Sequence, residues 1–337
     1  MSIKHDLILT LKEWKGFGPK NINIVAEYLS LQKQDPVGPE EYYDILSSLL
    51  HSGKLSRIKT MLPAYELRKA HSRAVQLIEE TERNNISIVS RYDEEFPKRL
   101  NSTVKEDGTP DVPLLLFYRG DLSITSKNSV AVIGTREPSQ DGINAGLTIS
   151  AEFAKSGFNI VSGLALGCDT AGHVGALNAG GVTTAFLAHG LDTVYPLENR
   201  KLAEEIVEKG GLLMSEYPVG AGVDRYKLVA RDRLQAGLAD ATVVIQTGIR
   251  GGTMHAVNAT IQAGKPLYAV DFSRIVPFEK VSGNKLLIEQ GHALPLRANT
   301  LGNAIATCSK KADGGAQNTP KSSLSETSRI YEPTLFE

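Results

Sequence analysis

Residues 130–142 read VAVIGTREPSQDG: a short apolar run, a glycine turn, and then the start of a helical pattern that continues to about residue 156. The same arrangement recurs along the chain, where apolar runs end in turn residues and helical periodicity follows. The further runs are NIVSG (159–163), TTAFLAHG (183–190), GLLMSEYP (211–218), TVVIQTG (242–248) and PLYAVDF (266–272). Strands that alternate with helices predict an α/β fold with a mostly parallel sheet, and continuous apolar runs are typical of strands buried on both faces.

On either side of this region the composition changes. Residues 1–84 carry apolar side chains at helical spacing and predict a small all-helical domain. Residues 85–305 hold the strand–helix units, preceded by two more apolar segments at 86–89 and 114–118, and predict one α/β domain. Residues 306–337 are rich in Lys, Ser, Thr and Gly and predict a solvated, disordered tail.

Composition excludes several classes of protein. The 337 residues include 37 Lys and Arg against 38 Asp and Glu, which excludes a uniformly basic nucleic-acid coat but permits a local basic groove. Two cysteines, Cys168 and Cys308, cannot form a disulfide framework or a cysteine-rich zinc site. There is no signal-peptide pattern and no apolar stretch of about 18 residues. We therefore expect a cytoplasmic protein with no membrane partner, no metal and no cofactor.

Three glycine-rich turns follow predicted strands, at Gly134-Thr135-Arg136, at 162–167 and at 248–253. Ligands of open parallel sheets bind beyond the carboxyl ends of the strands, where glycine allows close approach and a helix N-terminus offers free N–H groups. Each turn alone is equally well explained by tight chain reversal. Together, with an arginine in two of them and the planar guanidinium of Arg136 in the first, they favour a phosphate-binding surface. The G-x-G-x-x-G and G-x-x-x-x-G-K-[ST] nucleotide motifs do not occur.

Two further motifs each leave two interpretations open. Asp169 and His173 lie four residues apart, on one face of a predicted helix beside Cys168, and resemble a catalytic arrangement. Asp169 would equally cap the helix start and His173 would pack in the core. In Arg231-Asp232-Arg233, neighbouring side chains point about 100° apart on a helix, so at most two of the three can face one ligand. The alternative for this triplet is a solvated helix face.

Residues 11–20, LKEWKGFGPK, combine a helix end, a G-h-G turn with basic residues and a helix start. This is the layout of a helix-hairpin-helix, which presents backbone N–H groups to a DNA phosphate without reading sequence. An ordinary turn between two packed helices explains the same residues.

From this hairpin to about Ala298, the chain resembles the DprA/Smf family of DNA-processing proteins. The resemblance is carried by the order and spacing of several segments. They are SRYDEEFPKRL (90–100), PLLLFYRGDL (113–122), VAVIGTREPSQDG (130–142), NIVSGLALGCDTAGHVGALNAGG (159–181), GLDTVYPLENRKLAEEI (190–206), LLMSEYPVG (212–220), RDRLQAGLADATVVIQ (231–246) and GNKLLIEQGHAL (283–294). In series these segments are highly specific.

The resemblance implies an extended Rossmann-like domain after a small helical domain of the helix-hairpin-helix or SAM-like type. It also implies a dimeric, non-enzymatic protein that binds single-stranded DNA and loads RecA onto it during natural transformation, with single-stranded-DNA-binding protein as a further partner. The implied DNA-binding residues, together with those of the third glycine turn, are Gly134, Thr135, Arg136, Ser162, Gly163, Asn199, Arg200, Lys201, Arg231, Arg233, Gly251, Gly252 and Thr253.

The chain departs from the family pattern at Asp232, where an asparagine is usual, and across residues 251–257. These departures keep an alternative open: a Rossmann-like module that senses or cleaves free nucleotides in signalling or phage defence. A mediator should bind oligonucleotides with strong dependence on length and salt, because phosphate contacts release counterions. A nucleotide sensor should bind a mononucleotide tightly and respond little to strand length.

Overall fold

The described residues form a nine-stranded sheet in this computed structural model, which describes residues 3–105, 107–272 and 277–313. The strands are β1 (Ser87–Ser90), β2 (Leu115–Gly120), β3 (Ser129–Ile133), β4 (Asn159–Ser162), β5 (Thr183–Leu187), β6 (Leu212–Ser215), β7 (Ala241–Val244), β8 (Leu267–Val270) and β9 (Leu294–Leu296). Each predicted apolar run from 130 to 272 is a strand, so the predicted α/β class is confirmed. The strands end before the turn residues that close the longer runs.

The helices alternate with these strands. Four precede the sheet: α1 (His5–Glu13), α2 (Pro19–Gln32), α3 (Gly38–His51) and α4 (Ala64–Arg83). After β3, seven further helices in the described residues alternate with the strands or follow the last of them: α5 (Gln140–Lys155), α6 (Cys168–Asn178), α7 (Arg200–Glu208), α8 (Arg225–Leu238), α9 (Thr253–Gln262), α10 (Phe278–Glu289) and α11 (Leu301–Asp313). Helix α11 continues past residue 305, so the start of the predicted tail is helical. The rest of that tail, 314–337, lies outside the described residues.

The sheet order is β1-β2-β6-β5-β4-β3-β7-β8-β9. Strands β3 to β9 are parallel to one another, whereas β1 pairs with β2 and β2 pairs with β6 in antiparallel fashion. The two lead-in segments therefore extend one edge of the parallel sheet. From β3 the chain builds outward through β4, β5 and β6, then returns to place β7 on the other side of β3. The β3–β7 boundary is therefore the topological switch point, where open α/β sheets bind ligands.

Alternate residues of β3 show how the sheet is covered on both faces. Val130 and Val132 belong to the apolar cluster that contains Phe153 of α5, while Ala131 packs in the cluster that contains Leu234 of α8. Side chains alternate across a strand, so a strand that is apolar at every position needs a helix layer on each face. Helices α5 and α8 supply these layers and thereby place the start of α8 next to the strand ends.

The helical N-terminal region packs against the same molecule rather than standing apart. Leu11 of α1, Leu46 of α3 and Leu67 of α4 share one apolar cluster with Phe117 of β2. His5 Nε2 also lies 2.7 Å from the Asp93 carboxylate in the segment after β1. Burial of this shared apolar surface joins the helices to the sheet. No helix in the described residues is both long and apolar enough to cross a membrane.

Candidate nucleic-acid interface

A cavity of about 450 Å³ lies at the switch point, where the segments after β3 and β7 meet the start of α8. It is lined by a mixture of cationic, acidic and backbone groups. The lining includes Gly134, Thr135, Arg136, Glu137, Asp169, Arg225, Leu228, Val229, Arg231, Asp232, Gln235, Arg250, Gly251, Gly252 and Thr253. The lining thus includes four arginines, which can bind an anion, and three acidic residues, which can accept hydrogen bonds from a donor.

The turn after β3 is built against its neighbours and leaves no room for a side chain at Gly134. A Cβ there would lie 2.5 Å from the Cys168 sulfur and 2.9 Å from the Gln246 carbonyl oxygen. The Thr135 N–H donates to the Gln246 carbonyl at 2.7 Å, and the Cys168 N–H donates to the Thr135 carbonyl at 3.1 Å. These bonds join the turns after β3, β4 and β7. Arg136 at the tip of the first turn is exposed.

Arg231 forms part of the cavity floor. Its side chain is buried, and its Nη1 donates to the Phe186 carbonyl oxygen at 2.6 Å. Its Nε lies 3.1 Å from Asp232 Oδ1. Gly163 sits directly beneath the guanidinium. The second glycine turn therefore reaches the cavity through Arg231, and the three turns converge as the sheet edge predicts.

Asp169 does not cap α6, so the prediction that it caps the start of this helix is wrong. Its carboxylate accepts hydrogen bonds from the backbone N–H groups of Gly163 at 3.1 Å and Ala165 at 3.3 Å, which precede the helix. It therefore shapes the turn after β4. Burial raises the pKa of this carboxyl, and the charge of Arg231 opposes that shift.

Cys168 and His173 are structural. Burial raises the pKa of the Cys168 thiol to about 12, so the thiol is protonated at neutral pH and is a poor nucleophile. Burial lowers the pKa of His173 to about 3, and its Nδ1 lies 2.6 Å from Thr183 Oγ1. The packed-histidine interpretation therefore describes this residue, and these two side chains provide no activated nucleophile.

Six residues predicted to bind DNA lie outside the lining of this cavity: Gly163, which packs against the Arg231 guanidinium, and five residues whose side chains make other contacts. Ser162 donates to the Val132 carbonyl at 2.6 Å. Asn199 is buried, and its Nδ2 donates to Leu164 and Ala165 carbonyls and to Thr170 Oγ1 at 2.8–3.3 Å. These side chains hold the β4–α6 segment in place. They act on the site through the backbone.

The remaining three are cations. Arg200 is exposed and pairs with Glu204 at 3.3 Å, and Lys201 beside it is exposed. Arg233 turns away from Arg231 and pairs with Asp111 at 2.6 Å and Glu216 at 2.7 Å. Only Arg231 and Asp232 of the triplet line the cavity, as the helical spacing of these side chains requires.

Sequence reasoning missed one cavity arginine, Arg225, and placed a second, Arg250, inside a predicted glycine turn without including it among the binding residues. Arg225 begins α8, after Asp224, whose carboxylate caps the helix by accepting from the Lys227 N–H at 2.9 Å. Arg250 lies in the third glycine turn, next to the predicted Gly251. An Asp–Arg pair at a helix start was a usable signal for the first. The arginine inside the third glycine turn was a signal that the prediction of a phosphate-binding surface already used.

The predicted hairpin is present between α1 and α2. Trp14 and Phe17 are buried and stack with ring centroids 5.0 Å apart, while Gly16 adopts a φ of 85° that favours glycine. This packing explains the turn without DNA, and the DNA contact of the hairpin stays a prediction. Among the described residues, no group of three or more His, Cys, Asp or Glu is arranged to hold a metal ion.

Comparisons with known proteins identify the family of this chain. The family model described as DNA recombination-mediator protein A matches residues 87–305. The Protein Smf of Synechocystis sp. is 33% identical over 230 residues, which cover 67% of this chain and 56% of that protein, so the chain spans little more than half its length.

Two solved structures are also similar. The DNA processing protein A (DprA) of Streptococcus pneumoniae gives a TM-score of 0.70 at 26% identity, covering 90% of this chain and 98% of that chain. The DNA processing protein A of Helicobacter pylori, described for its single-stranded DNA binding mode, gives 0.57 at 29% identity, covering 67% and 96%. The family model is described as a recombination mediator. The family model matches most of the chain and the fold resembles that of the solved DprA structures, so the chain belongs to the DNA recombination-mediator protein A family, also called DprA/Smf.

Proposed function

We propose that this protein binds single-stranded DNA by its phosphate backbone, with the phosphates held at the rim of the switch-point cavity. The observation that carries the proposal is the convergence of exposed Arg136, Arg225 and Arg250 with the Gly134 and Gly251–Thr253 turns around one cavity. Arginine forks and free backbone N–H groups are the donors that phosphate oxygens accept from. The relative from Helicobacter pylori is described as binding single-stranded DNA, which supports the same ligand class here.

We further propose the role that the family description implies. The protein, as a cytoplasmic homodimer, would mediate loading of RecA onto strands coated by single-stranded-DNA-binding protein, as in natural transformation. The buried Asn199 and Ser162 hold the β4–α6 segment, and the half-buried Arg233 pairs with Asp111 and Glu216, so these side chains would not contact the strand. The contact set is therefore Gly134, Thr135, Arg136, Arg225, Arg250 and the 251–253 turn, above Gly163 and Arg231.

The test is fluorescence anisotropy with thymine strands of increasing length at several salt concentrations. We expect affinity to rise with length up to the site size and to fall with salt, because each neutralised phosphate releases counterions. RecA filament formation on strands coated with single-stranded-DNA-binding protein, with and without the protein, tests the mediator role. Affinity that is independent of strand length would contradict the strand-binding proposal. Such a result, with tight mononucleotide binding, would favour the nucleotide-sensing alternative.

A further inference from the structure

The floor of the cavity contains a buried polar atom that the described part of the protein does not satisfy. Gln235 is 2% exposed, and within the described residues its Oε1 makes no hydrogen bond. Arg231 Nε beside it is paired with the Asp232 carboxylate at 3.1 Å. Buried polar atoms nearly always have partners, because leaving one unpaired costs the desolvation of that group. Gln235 lines the cavity, so a ligand there is the expected partner of its Oε1.

The orientation of the Gln235 amide follows from its neighbour. Gln235 Nε2 lies 3.2 Å from Asp232 Oδ1 and donates to it. An ionised carboxylate only accepts hydrogen bonds, so the amide nitrogen must face Asp232 and the amide oxygen is left as an acceptor. Burial raises the pKa of Asp232 to about 6, with the charge of Arg231 opposing, so the carboxylate is largely ionised above pH 7. The floor therefore presents two neighbouring acceptors, the Asp232 carboxylate and Gln235 Oε1.

The cavity changes character from rim to floor. Exposed cations stand at the rim, where Arg136 lies. The half-buried Leu228 and the exposed Val229 contribute apolar surface to the lining. The acceptors of Asp232 and Gln235 complete the lining. A nucleotide has the same sequence of parts: an anionic phosphate, the apolar faces of a ring and a polar base edge. A phosphate alone would use only the rim, and a carboxylate on the floor would repel it.

We propose that Asp232 and Gln235 receive the hydrogen-bond edge of one base and that this base is guanine. The inference rests on the proposed binding of single-stranded DNA and adds a base preference to it. Guanine presents two adjacent donors, N1–H and the N2 amino group, which match two adjacent acceptors. Adenine and cytosine each place one amino group beside a ring nitrogen that only accepts. Thymine has a single N–H between two carbonyl oxygens. Adenine, cytosine and thymine would therefore each place an acceptor of the base against one of the two protein acceptors.

The experiment compares a thymine strand of about 15 nucleotides with the same strand carrying one central guanine. We expect the guanine strand to bind about tenfold more tightly, as for a good bidentate base contact. A strand with inosine, which keeps N1–H and lacks the N2 amino group, should fall between them. In competition, dGMP should displace the strand at lower concentration than dTMP does, whether the base reaches the cavity in a strand or as a free nucleotide.

The variant Asp232→Asn separates base contact from charge. It should reduce the guanine advantage to less than about twofold while tightening binding of the plain thymine strand, because a buried negative charge is lost. The matched control is Glu137→Gln, which removes the same charge from an exposed residue of the cavity lining. The control should tighten both strands equally and leave their affinity ratio unchanged.

Equal binding of the guanine and thymine strands by the unmodified protein would overturn this inference and leave the proposed function standing. So would equal displacement by dGMP and dTMP, or an Asp232→Asn variant that keeps the full ratio. Failure to bind the thymine strand at any length would instead contradict the proposed function itself. The comparison among guanine, inosine and thymine strands uses the unmodified protein, so it decides the question even if the variant folds poorly.

Discussion

The guanidinium of Arg231 occupies the space that a side chain at Gly163 would need: a Cβ built on Gly163 would lie 1.8 Å from Nη1 and 2.4 Å from the central guanidinium carbon. Two segments far apart in sequence, the end of β4 and the middle of α8, are thus fitted together by a glycine and an arginine. The Phe186 carbonyl holds Nη1 on the other side at 2.6 Å. The buried cation in the floor of the cavity depends on that glycine.

Gly163→Ala should therefore displace Arg231 and break its bond to Phe186. A hydrogen bond from a charged group contributes about 1.5–3 kcal/mol, so we expect the free energy of unfolding in urea to fall by about that amount. Affinity for single-stranded DNA should fall as well. The control is Gly222→Ala, where a Cβ would meet no atom within 4 Å. Equal stability of the two alanine variants would show that Arg231 is not held in this way.

Arg136→Ala should weaken binding of every strand sequence about equally, because a phosphate contact carries position and not base identity. The slope of log affinity against log salt should decrease in magnitude by about 0.7, the value for one ionic contact with a single strand. Arg136→Lys should restore the salt slope only in part, because a point charge replaces a planar fork. Anisotropy titrations at several salt concentrations measure the affinity and the salt slope of the unmodified protein and both variants.

The control for this charge is Lys155→Ala, at the end of α5, where the lysine pairs with Glu152 at 2.7 Å and does not belong to the cavity lining. Its salt slope should equal that of the unmodified protein. An Arg136→Ala protein that folds normally and keeps both affinity and slope would mean that the strand does not follow this rim.

Asn199→Ala tests whether this residue contacts phosphate or supports the chain. Its Nδ2 bonds to the Leu164 carbonyl at 2.8 Å and Thr170 Oγ1 at 2.9 Å, so its loss leaves buried acceptors unpaired. We expect the free energy of unfolding to fall by about 1–3 kcal/mol. The salt slope for DNA should stay unchanged. A reduced slope with unchanged stability would return Asn199 to the set of phosphate contacts.

His173 should make the protein less stable in acid. Its pKa is lowered from 6.5 to about 3 by burial, so between these values the unfolded chain binds a proton that the folded chain does not. Stability from this group is complete above pH 6.5 and decreases as pH falls from there towards 3. The expected loss between pH 7 and pH 5 is about 2 kcal/mol.

His173→Gln removes the titrating group and retains a side chain able to bond Thr183. Urea unfolding of both proteins at pH 7 and pH 5 measures the difference, because the contributions of other groups cancel in the comparison. The unmodified protein should lose more stability than the variant over this interval. Equal losses would show that His173 titrates normally in the folded state.

The sequence by itself determined the class of fold and the position of the site in the chain. Apolar runs such as 130–134 and 242–248 are local patterns, and each requires a strand buried on both faces whatever surrounds it. Glycines at strand ends place the ligand-binding edge by the same local reasoning. That is why the Gly134 and Gly251 turns and Arg136 were predicted and do line one cavity.

Only the tertiary structure decided which polar side chains face the ligand. Arg231 and Arg233 are the same residue type two positions apart, yet one forms the cavity floor and the other pairs with Asp111 and Glu216. The side-chain amide of Asn199 is a hydrogen-bond donor that could bind a phosphate, but it donates to the Leu164 carbonyl and holds a backbone segment. A side chain's partners come from strands and helices distant in sequence, and its direction depends on their packing. Residue type and spacing therefore cannot distinguish a contact from a support.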